Sequence, residues 1–144
     1  MIAVLAAFCV GTFFGAAIYI NLAQHPATMA TGGEFAGHFF PPMYQRAARL
    51  QIALAIAGTG LGLLTWHSSA QIAWLIGALF LVSVVPVTLW LIKPINDQLL
   101  DPDKTLDAEA VTALLKRWNP LHWIRTVVSG VAFLCYLTAL TAGA

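Results

Sequence analysis

The residues best suited to chemistry lie in one run, which begins in a polar segment and continues into an apolar one: Trp118-Asn119-Pro120-Leu121-His122-Trp123-Ile124-Arg125. If this run is helical, Trp118 and His122 are about one turn apart, and Arg125 shares the face of His122. A neutral imidazole can accept a proton or bind a metal, and a helix N-terminus favours the neutral form of His122. The spacing therefore predicts that these three side chains point into one pocket.

Arg125 is the most informative member of this group. An ionisable group in the first turns of a membrane span is costly and usually faces the bundle interior with a partner. Glu34, Asp97 or an anionic ligand are the candidate partners of Arg125. Trp123, by contrast, suits the aromatic belt at a membrane interface.

Three further polar residues are expected at the same end of the molecule. Asn21 and His25 follow the first apolar stretch, and Asn96 follows the third. An up-down arrangement of helices brings these ends together, so we expect Asn21, His25 and Asn96 to bind substrate together with Trp118. Capping of helix ends would by itself also explain the two asparagines.

The sequence leaves a metal site at this end open. The candidate ligands are His25, His38, His122 and Glu34, but no HxxxH, HxH or CxxC spacing joins them. Whether the protein uses a metal, a haem or no cofactor does not follow from these residues.

Membrane-spanning helices must position these side chains. Of the 144 residues, 60% are hydrophobic and 9% are charged, whereas about 25% of the residues of soluble proteins are charged. Four stretches reach the roughly 20 apolar residues that cross a bilayer, and they cover about 1–23, 44–66, 70–92 and 120–143. We predict an all-α, integral membrane four-helix bundle that forms a single domain over residues 1–144.

The connections between the predicted spans differ in character. His67-Ser68-Ser69 is a short polar turn that makes the second and third spans antiparallel neighbours. The segment from Gln24 to Met43 is rich in glycine and proline and is predicted to be an ordered loop. The segment from Lys93 to Asn119 is predicted to contain an amphipathic helix that lies flat on an apolar surface, because four apolar residues recur in it at helical spacing: Val111, Leu114, Leu115 and Trp118.

Asparagine and proline provide two boundary signals. Asn119 suits an N-cap and Pro120 the first helical position, so the fourth span is predicted to begin there. Pro86 lies inside the third span and is predicted to kink it.

The distribution of charge predicts the orientation. All seven Lys and Arg residues lie at the end that carries the long connections, and none lies near the termini or the short turn. By the positive-inside rule, that end is cytoplasmic and both termini lie on the non-cytoplasmic side of the plasma (inner) membrane. A net charge of +1 argues against a nucleic-acid partner.

Small residues within the spans suggest close helix packing. Gly11 with Gly15, and Gly58 with Gly62, have the spacing that lets helix backbones approach closely. Packing within the chain is favoured over a homo-oligomer. Cys9 and Cys135 are expected to be buried small hydrophobes, although similar depth in the bundle would allow a disulfide.

Several of these motifs together resemble the anthrone oxygenase-like family of small four-span membrane proteins. The resemblance covers nearly the whole chain, and its most specific parts are the Pro-x-Asn after the third span and the Trp-x-x-x-His-x-x-Arg that enters the fourth. Carried over residue by residue, the recurrent polar positions of the family fall on six residues: Asn21, Pro26, Asn96, Trp118, His122 and Arg125.

The resemblance implies a membrane oxygenase that oxidises a flat, hydrophobic aromatic compound of the anthrone or quinol type without a tightly bound cofactor. In that mechanism Trp118 would hold the substrate, neutral His122 would remove a proton, and Arg125 would stabilise the resulting anion. Fold does not determine function. A non-catalytic protein that binds a quinone, lipid or haem, a small transporter and a scaffold subunit are the alternatives, and each would share the bilayer and a small hydrophobic ligand as partners.

Overall fold

The computed structural model describes residues 1–142, and these residues form four long antiparallel helices. We label the helices α1 (Ile2–Ala30), α2 (Gly33–Ser69), α3 (Ile72–Leu100) and α4 (Ala108–Ala142). All four are long and apolar enough to cross a membrane. The predicted all-α membrane bundle is therefore confirmed, with no β-strand among the described residues.

One end of the bundle carries the α1–α2 and α3–α4 connections, and we call it the polar end. The opposite end carries the N-terminus, the C-terminal end of α4 and the short α2–α3 turn. This turn lies at Ala70, which adopts a left-handed conformation with φ 56°, and not at the predicted His67-Ser68-Ser69, because these three residues belong to the last turn of α2. Apolar side chains cover much of the outer surface, for example Ile56 and Trp90, which are 70% and 77% exposed. Such a surface is stable in lipid and would be unfavourable in water.

In the half of the bundle that is farther from the polar end, the helices contact one another closely at glycines. The Tyr136 ring of α4 fills the space beside Gly62 of α2 and Gly77 of α3, where an added Cβ would overlap it. The Tyr136 hydroxyl donates a 3.0 Å hydrogen bond to the carbonyl of Gly58. Thus glycine packing joins three helices within one chain.

The two predicted glycine pairs and the two cysteines have different surroundings. A Cβ at Gly11 would meet Phe133, and one at Gly58 would meet Leu81, whereas Gly15 has no neighbour within 4 Å of such a Cβ. Cys9 and Cys135 are free thiols and half-buried. Most of the close-packing glycines therefore pack against this chain's own helices.

The prediction of an ordered loop from Gln24 to Met43 is wrong, because the segment is helical except near Gly32. Gly32 adopts φ 92°, a conformation that only glycine takes readily, and this allows α1 to turn directly into α2. Ala36 and Phe40 are 1% and 3% exposed and bury a helical stripe at the polar end. Their burial outweighs the turn propensity of the neighbouring prolines.

The predicted helix start at Asn119 and Pro120 is also wrong. Helix α4 begins at Ala108 and continues through Pro120 to Ala142. The amphipathic stripe was predicted correctly, since Val111, Leu114, Leu115 and Trp118 are all buried. Because this stripe packs against the bundle on the same helix face that continues into the span, the hydrogen bond lost at Pro120 does not end the helix.

Two π-helical segments widen the backbone near the polar end, at Ile20–Gln24 in α1 and Val87–Ile92 in α3. Each lies just before a proline, Pro26 or Pro94. A proline ring displaces the carbonyl four residues earlier, and a wider turn accommodates that displacement. The regular α-helical pattern of α3 is also interrupted at Ser83, three residues before Pro86.

Candidate functional site

A buried hydrogen-bond network joins α1 to α4 near the polar end. The side-chain carbonyl of Asn21 accepts hydrogen bonds from His122 Nδ1 at 2.9 Å and from Thr126 Oγ1 at 2.6 Å. The Asn21 amide donates to Asn119 Oδ1 at 2.7 Å. Asn21 lies in the first π-helical segment, where the widened turn directs its side chain towards α4. Isolated polar groups at this depth are costly, and the network satisfies them together.

The network determines which nitrogen of His122 carries the proton. The Asn21 carbonyl can only accept, so His122 Nδ1 must donate. In the neutral imidazole this leaves the lone pair on Nε2, which makes no hydrogen bond to any residue from 1 to 142. His122 is 1% exposed and lines a predominantly apolar cavity. The Nε2 atom of His122 can thus accept a proton or bind a metal ion.

Trp118 is held in a stack of aromatic rings rather than in an interfacial belt. Its indole N–H donates a 2.9 Å hydrogen bond to Asn96 Oδ1. Its ring stacks on His122 at a centroid distance of 4.5 Å and on His25 at 6.0 Å. His25 Nε2 in turn donates to the Leu115 carbonyl at 3.0 Å. The structure therefore brings together five of the predicted site residues, since Asn21, His25 and Asn96 all contact Trp118 or His122.

Arg125 is buried, but its partner is not one of the predicted carboxylates. Its Nη2 donates a 2.7 Å hydrogen bond to Gln51 Oε1 of α2, and its guanidinium lies 5.6 Å from the centre of the Phe13 ring. Among residues 1–142, Arg125 forms no ion pair. Asp97 instead pairs with Lys93, and Glu34 is exposed. A guanidinium stays charged in proteins, so a positive charge without a counter-ion remains in the site.

A cavity of about 310 Å³ lies beside these residues, between α2 and α3. His122, Arg125, Gln51 and Trp118 line its inner wall, and apolar side chains line most of the remainder. Ile52, Ile56 and Leu89 at its rim are more than half exposed on the apolar outer surface. The cavity therefore opens towards lipid, and its size lies at the lower end of the range typical for small-molecule sites, about 300–1,000 Å³.

The four candidate metal ligands are not brought together. His38 is exposed and donates from Nδ1 to the Glu34 carbonyl at 2.8 Å, and His25 is engaged with Leu115. No group of three His, Cys, Asp or Glu side chains with the geometry to hold a metal ion occurs in the described part of the chain.

Sequence reasoning missed two residues of this site, Gln51 and Thr126. Both are buried, at 3% and 2% exposure, and both form hydrogen bonds to predicted site residues. Gln51 did carry a signal, because it is a long polar side chain in the run of apolar and small residues that follows Arg49. Pro26, a recurrent position by resemblance, is exposed and contributes through the backbone of α1.

Four membrane-length helices around a buried polar cluster and a lipid-facing cavity define a small multi-pass α-helical membrane protein. The family model described as anthrone oxygenase matches residues 40–135, which is more than half of the chain. The chain therefore belongs to the anthrone oxygenase family. The matched region includes Gln51, Asn96, Trp118, His122 and Arg125. No curated protein and no solved structure matches the chain.

Proposed function

We propose that this protein is a membrane-embedded oxygenase that converts a flat, hydrophobic anthrone- or quinol-like compound to the quinone in the cavity between α2 and α3. One observation carries the proposal: a neutral proton acceptor, His122, and an uncompensated cation, Arg125, line the same apolar cavity. Membership of the anthrone oxygenase family supports it. His122 and Arg125 are the catalytic residues, and Trp118, Asn21, Asn96 and His25 form the binding wall and its support.

The reaction begins with proton transfer. His122 Nε2 removes a proton from the acidic methylene carbon of the anthrone, and Arg125 stabilises the negative charge that develops on the carbonyl oxygen. The resulting enolate is electron-rich and donates electrons to dioxygen, which forms a carbon–oxygen bond at the former methylene carbon.

The remaining steps balance without a further reductant. The peroxide anion takes a proton back from His122, and loss of the second methylene proton with cleavage of the oxygen–oxygen bond leaves a carbonyl and hydroxide. The hydroxide and this proton form water. One dioxygen therefore supplies one oxygen atom to the quinone and one to water, and the two methylene hydrogens supply the electrons.

The surroundings of the cavity favour this chemistry over proton transfer in water. Its lining is predominantly apolar, so the attraction between Arg125 and an enolate is screened less than in solvent. The opening towards lipid gives a route for a substrate that partitions into the bilayer.

The test is oxygen uptake by purified protein in nanodiscs supplied with anthrone, compared with the spontaneous oxidation of anthrone in empty nanodiscs. We expect one dioxygen consumed per anthraquinone formed, and a loss of about 100-fold or more in His122→Ala. Tm measurements show whether each variant is folded. If folded His122→Ala and Arg125→Ala proteins oxidise anthrone at the wild-type rate, the proposed mechanism is wrong. Anthraquinone binding without turnover by the wild type would instead favour a non-catalytic binding protein.

We also propose that the polar end faces the cytoplasm and that the protein lies in the plasma (inner) membrane. All seven Lys and Arg residues lie in or near the connections at the polar end, and the positive-inside rule places such residues on the cytoplasmic side.

A further inference from the structure

We infer that Gln51 is a positioning residue for Arg125 and that its neutrality makes the cavity selective for flat apolar ligands that carry one negatively charged oxygen group. This inference rests on the proposed function, because the enolate formed from the anthrone in the same cavity is such a ligand. It assigns a role to a residue of α2 that no spacing motif in the sequence indicated.

Chemistry determines the orientation of the Gln51 side chain. Arginine has five N–H donors and no acceptor, so the amide must present its oxygen to Arg125 and direct its Nε2 elsewhere. The bond is 2.7 Å long and joins residues that lie 74 positions apart in the chain. With Gln51 3% and Arg125 9% exposed, few other orientations are available to either side chain. Gln51 therefore holds the guanidinium at the cavity wall.

The neutrality of Gln51 matters as much as its hydrogen bond. Glutamate has almost the same shape and would also accept from Arg125, but it would cancel the positive charge. With glutamine, Arg125 is oriented but not neutralised, and none of the carboxylates from residues 1 to 142 pairs with it. A buried charge without a counter-ion is unfavourable, so the empty site should favour binding of an anion.

Two enclosed donors next to this bond lack acceptors. Arg125 Nε and Gln51 Nε2 are both buried and form no hydrogen bond with any described residue. Leaving such a buried donor unpaired is unfavourable. Both side chains line the cavity, so an acceptor oxygen bound there, with a small adjustment of the amide and guanidinium, would satisfy them.

The rest of the cavity determines the body of the ligand. Apart from the Gln51–Arg125 edge and His122, its lining is mainly aliphatic and aromatic, including Phe13, Tyr44 and Trp118. Aromatic walls favour a flat ring system, which can stack or make edge contacts with them. The site should therefore take one anionic oxygen group at the Arg125 edge and an uncharged aromatic body elsewhere.

The experiment compares two fluorescent ligands that differ mainly in charge, 9-anthracenecarboxylate and 9-methylanthracene, titrated into the protein in nanodiscs under anaerobic conditions. The wild type is expected to bind the carboxylate at least tenfold more tightly after correction for partition into empty nanodiscs, because the Coulomb attraction at the cavity wall acts on it alone. Gln51→Glu is expected to reduce that ratio at least tenfold and to leave 9-methylanthracene binding within about twofold.

Gln45→Glu is the matched control, because it makes the same change at an exposed position of the same helix. It should leave both affinities unchanged. Gln51→Met keeps the size of the side chain and removes its acceptor, so it should weaken carboxylate binding about threefold to tenfold through loss of Arg125 orientation, within the value of one hydrogen bond to a charged group. This variant also tests the inference if Gln51→Glu does not fold.

Equal affinity of the wild type for the two ligands would overturn the inference, and so would carboxylate binding that neither Gln51 variant alters. Palmitate carries the same charge on an acyl chain and should compete at least tenfold less well; equal competition would overturn the assignment of an aromatic body. Because the titration involves no turnover, anion selectivity without anthrone oxidation would refute the proposed function alone.

Discussion

Replacement of Asn21 tests the site most directly, because this one side chain determines the tautomer of His122. In Asn21→Leu, the His122 Nδ1–H and the Thr126 hydroxyl lose their shared acceptor, the oxygen now 2.9 and 2.6 Å away. Thr126 can rotate its hydroxyl fully towards the His122 carbonyl, which already lies 3.5 Å from it. His122 Nδ1 then has no hydrogen-bond partner in either tautomer, so we expect a loss of about 1–3 kcal/mol in the free energy of unfolding.

The expected loss of activity is larger than the loss of stability. Without Asn21, the imidazole can move its proton to Nε2 and avoid burying Nδ1–H, and the cavity would then face a donor where the proposed reaction needs an acceptor. General base catalysis contributes about 10²–10⁴-fold, so kcat for anthrone oxidation should fall by about 100-fold or more. Oxygen uptake in nanodiscs measures the rate, and unfolding in SDS measures the stability.

Thr126→Val is the control for this prediction. It removes the second hydrogen bond to Asn21 with little change in shape, and it leaves the His122–Asn21 bond in place. We expect its turnover to stay within about threefold of the wild type, since one membrane hydrogen bond averages about 0.6 kcal/mol. A folded Asn21→Leu protein with wild-type turnover would refute the tautomer argument.

Three further predictions concern packing, the aromatic stack and topology. Gly62→Ala places a Cβ in the space of Tyr136 and should lower the free energy of unfolding in SDS by about 1–3 kcal/mol. Gly15→Ala, whose Cβ meets nothing within 4 Å, should cost nothing measurable. Equal costs would contradict the glycine packing. Trp118→Phe keeps a ring beside His122 but removes the N–H that donates to Asn96 Oδ1 at 2.9 Å. We therefore expect weaker ligand binding and a loss of about 1–3 kcal/mol in the free energy of unfolding. An unchanged Kd for anthraquinone would exclude Trp118 from the binding wall. For topology, single cysteines are introduced into a protein in which Cys9 and Cys135 are replaced. Ser68→Cys should react with an impermeant thiol reagent from outside intact cells, and Asp103→Cys should react only after lysis. The reverse pattern would contradict the proposed topology.

The wrong predictions of a loop from Gln24 to Met43 and of a helix start at Asn119 have a common cause. Pro41-Pro42 and Asn119-Pro120 are strong local signals for a turn and a helix start, but helices α2 and α4 continue through them. In each case a stripe of apolar side chains packs against the polar end, such as Ala36 and Phe40 in α2 or Val111 and Leu115 in α4. Tertiary burial of such a stripe contributes more than the local preference, and a single sequence does not show which neighbour will bury it.

The site itself was predicted unevenly. Asn21, Asn96, Trp118 and His122 were predicted at one end from helix topology, and the structure brings them into direct hydrogen-bond or ring contact. The two carboxylates predicted as partners of Arg125, Glu34 and Asp97, do not pair with it. A search for opposite charges overlooks a neutral amide. Gln51 comes from another helix at a distance of 74 residues, and no local spacing connects it to Arg125.

The amino-acid sequence by itself determined that the chain is a four-span membrane bundle, because the length and apolar content of each span are local properties that lipid solvation selects directly. It also determined which end carries the buried polar side chains, since alternating helix directions follow from the number of spans. Only the tertiary structure decided the His122 tautomer, the neutral partner of Arg125 and the cavity beside them. These depend on distances of a few ångströms between helices, which are determined by how the helices pack together and not by the pattern of any one of them.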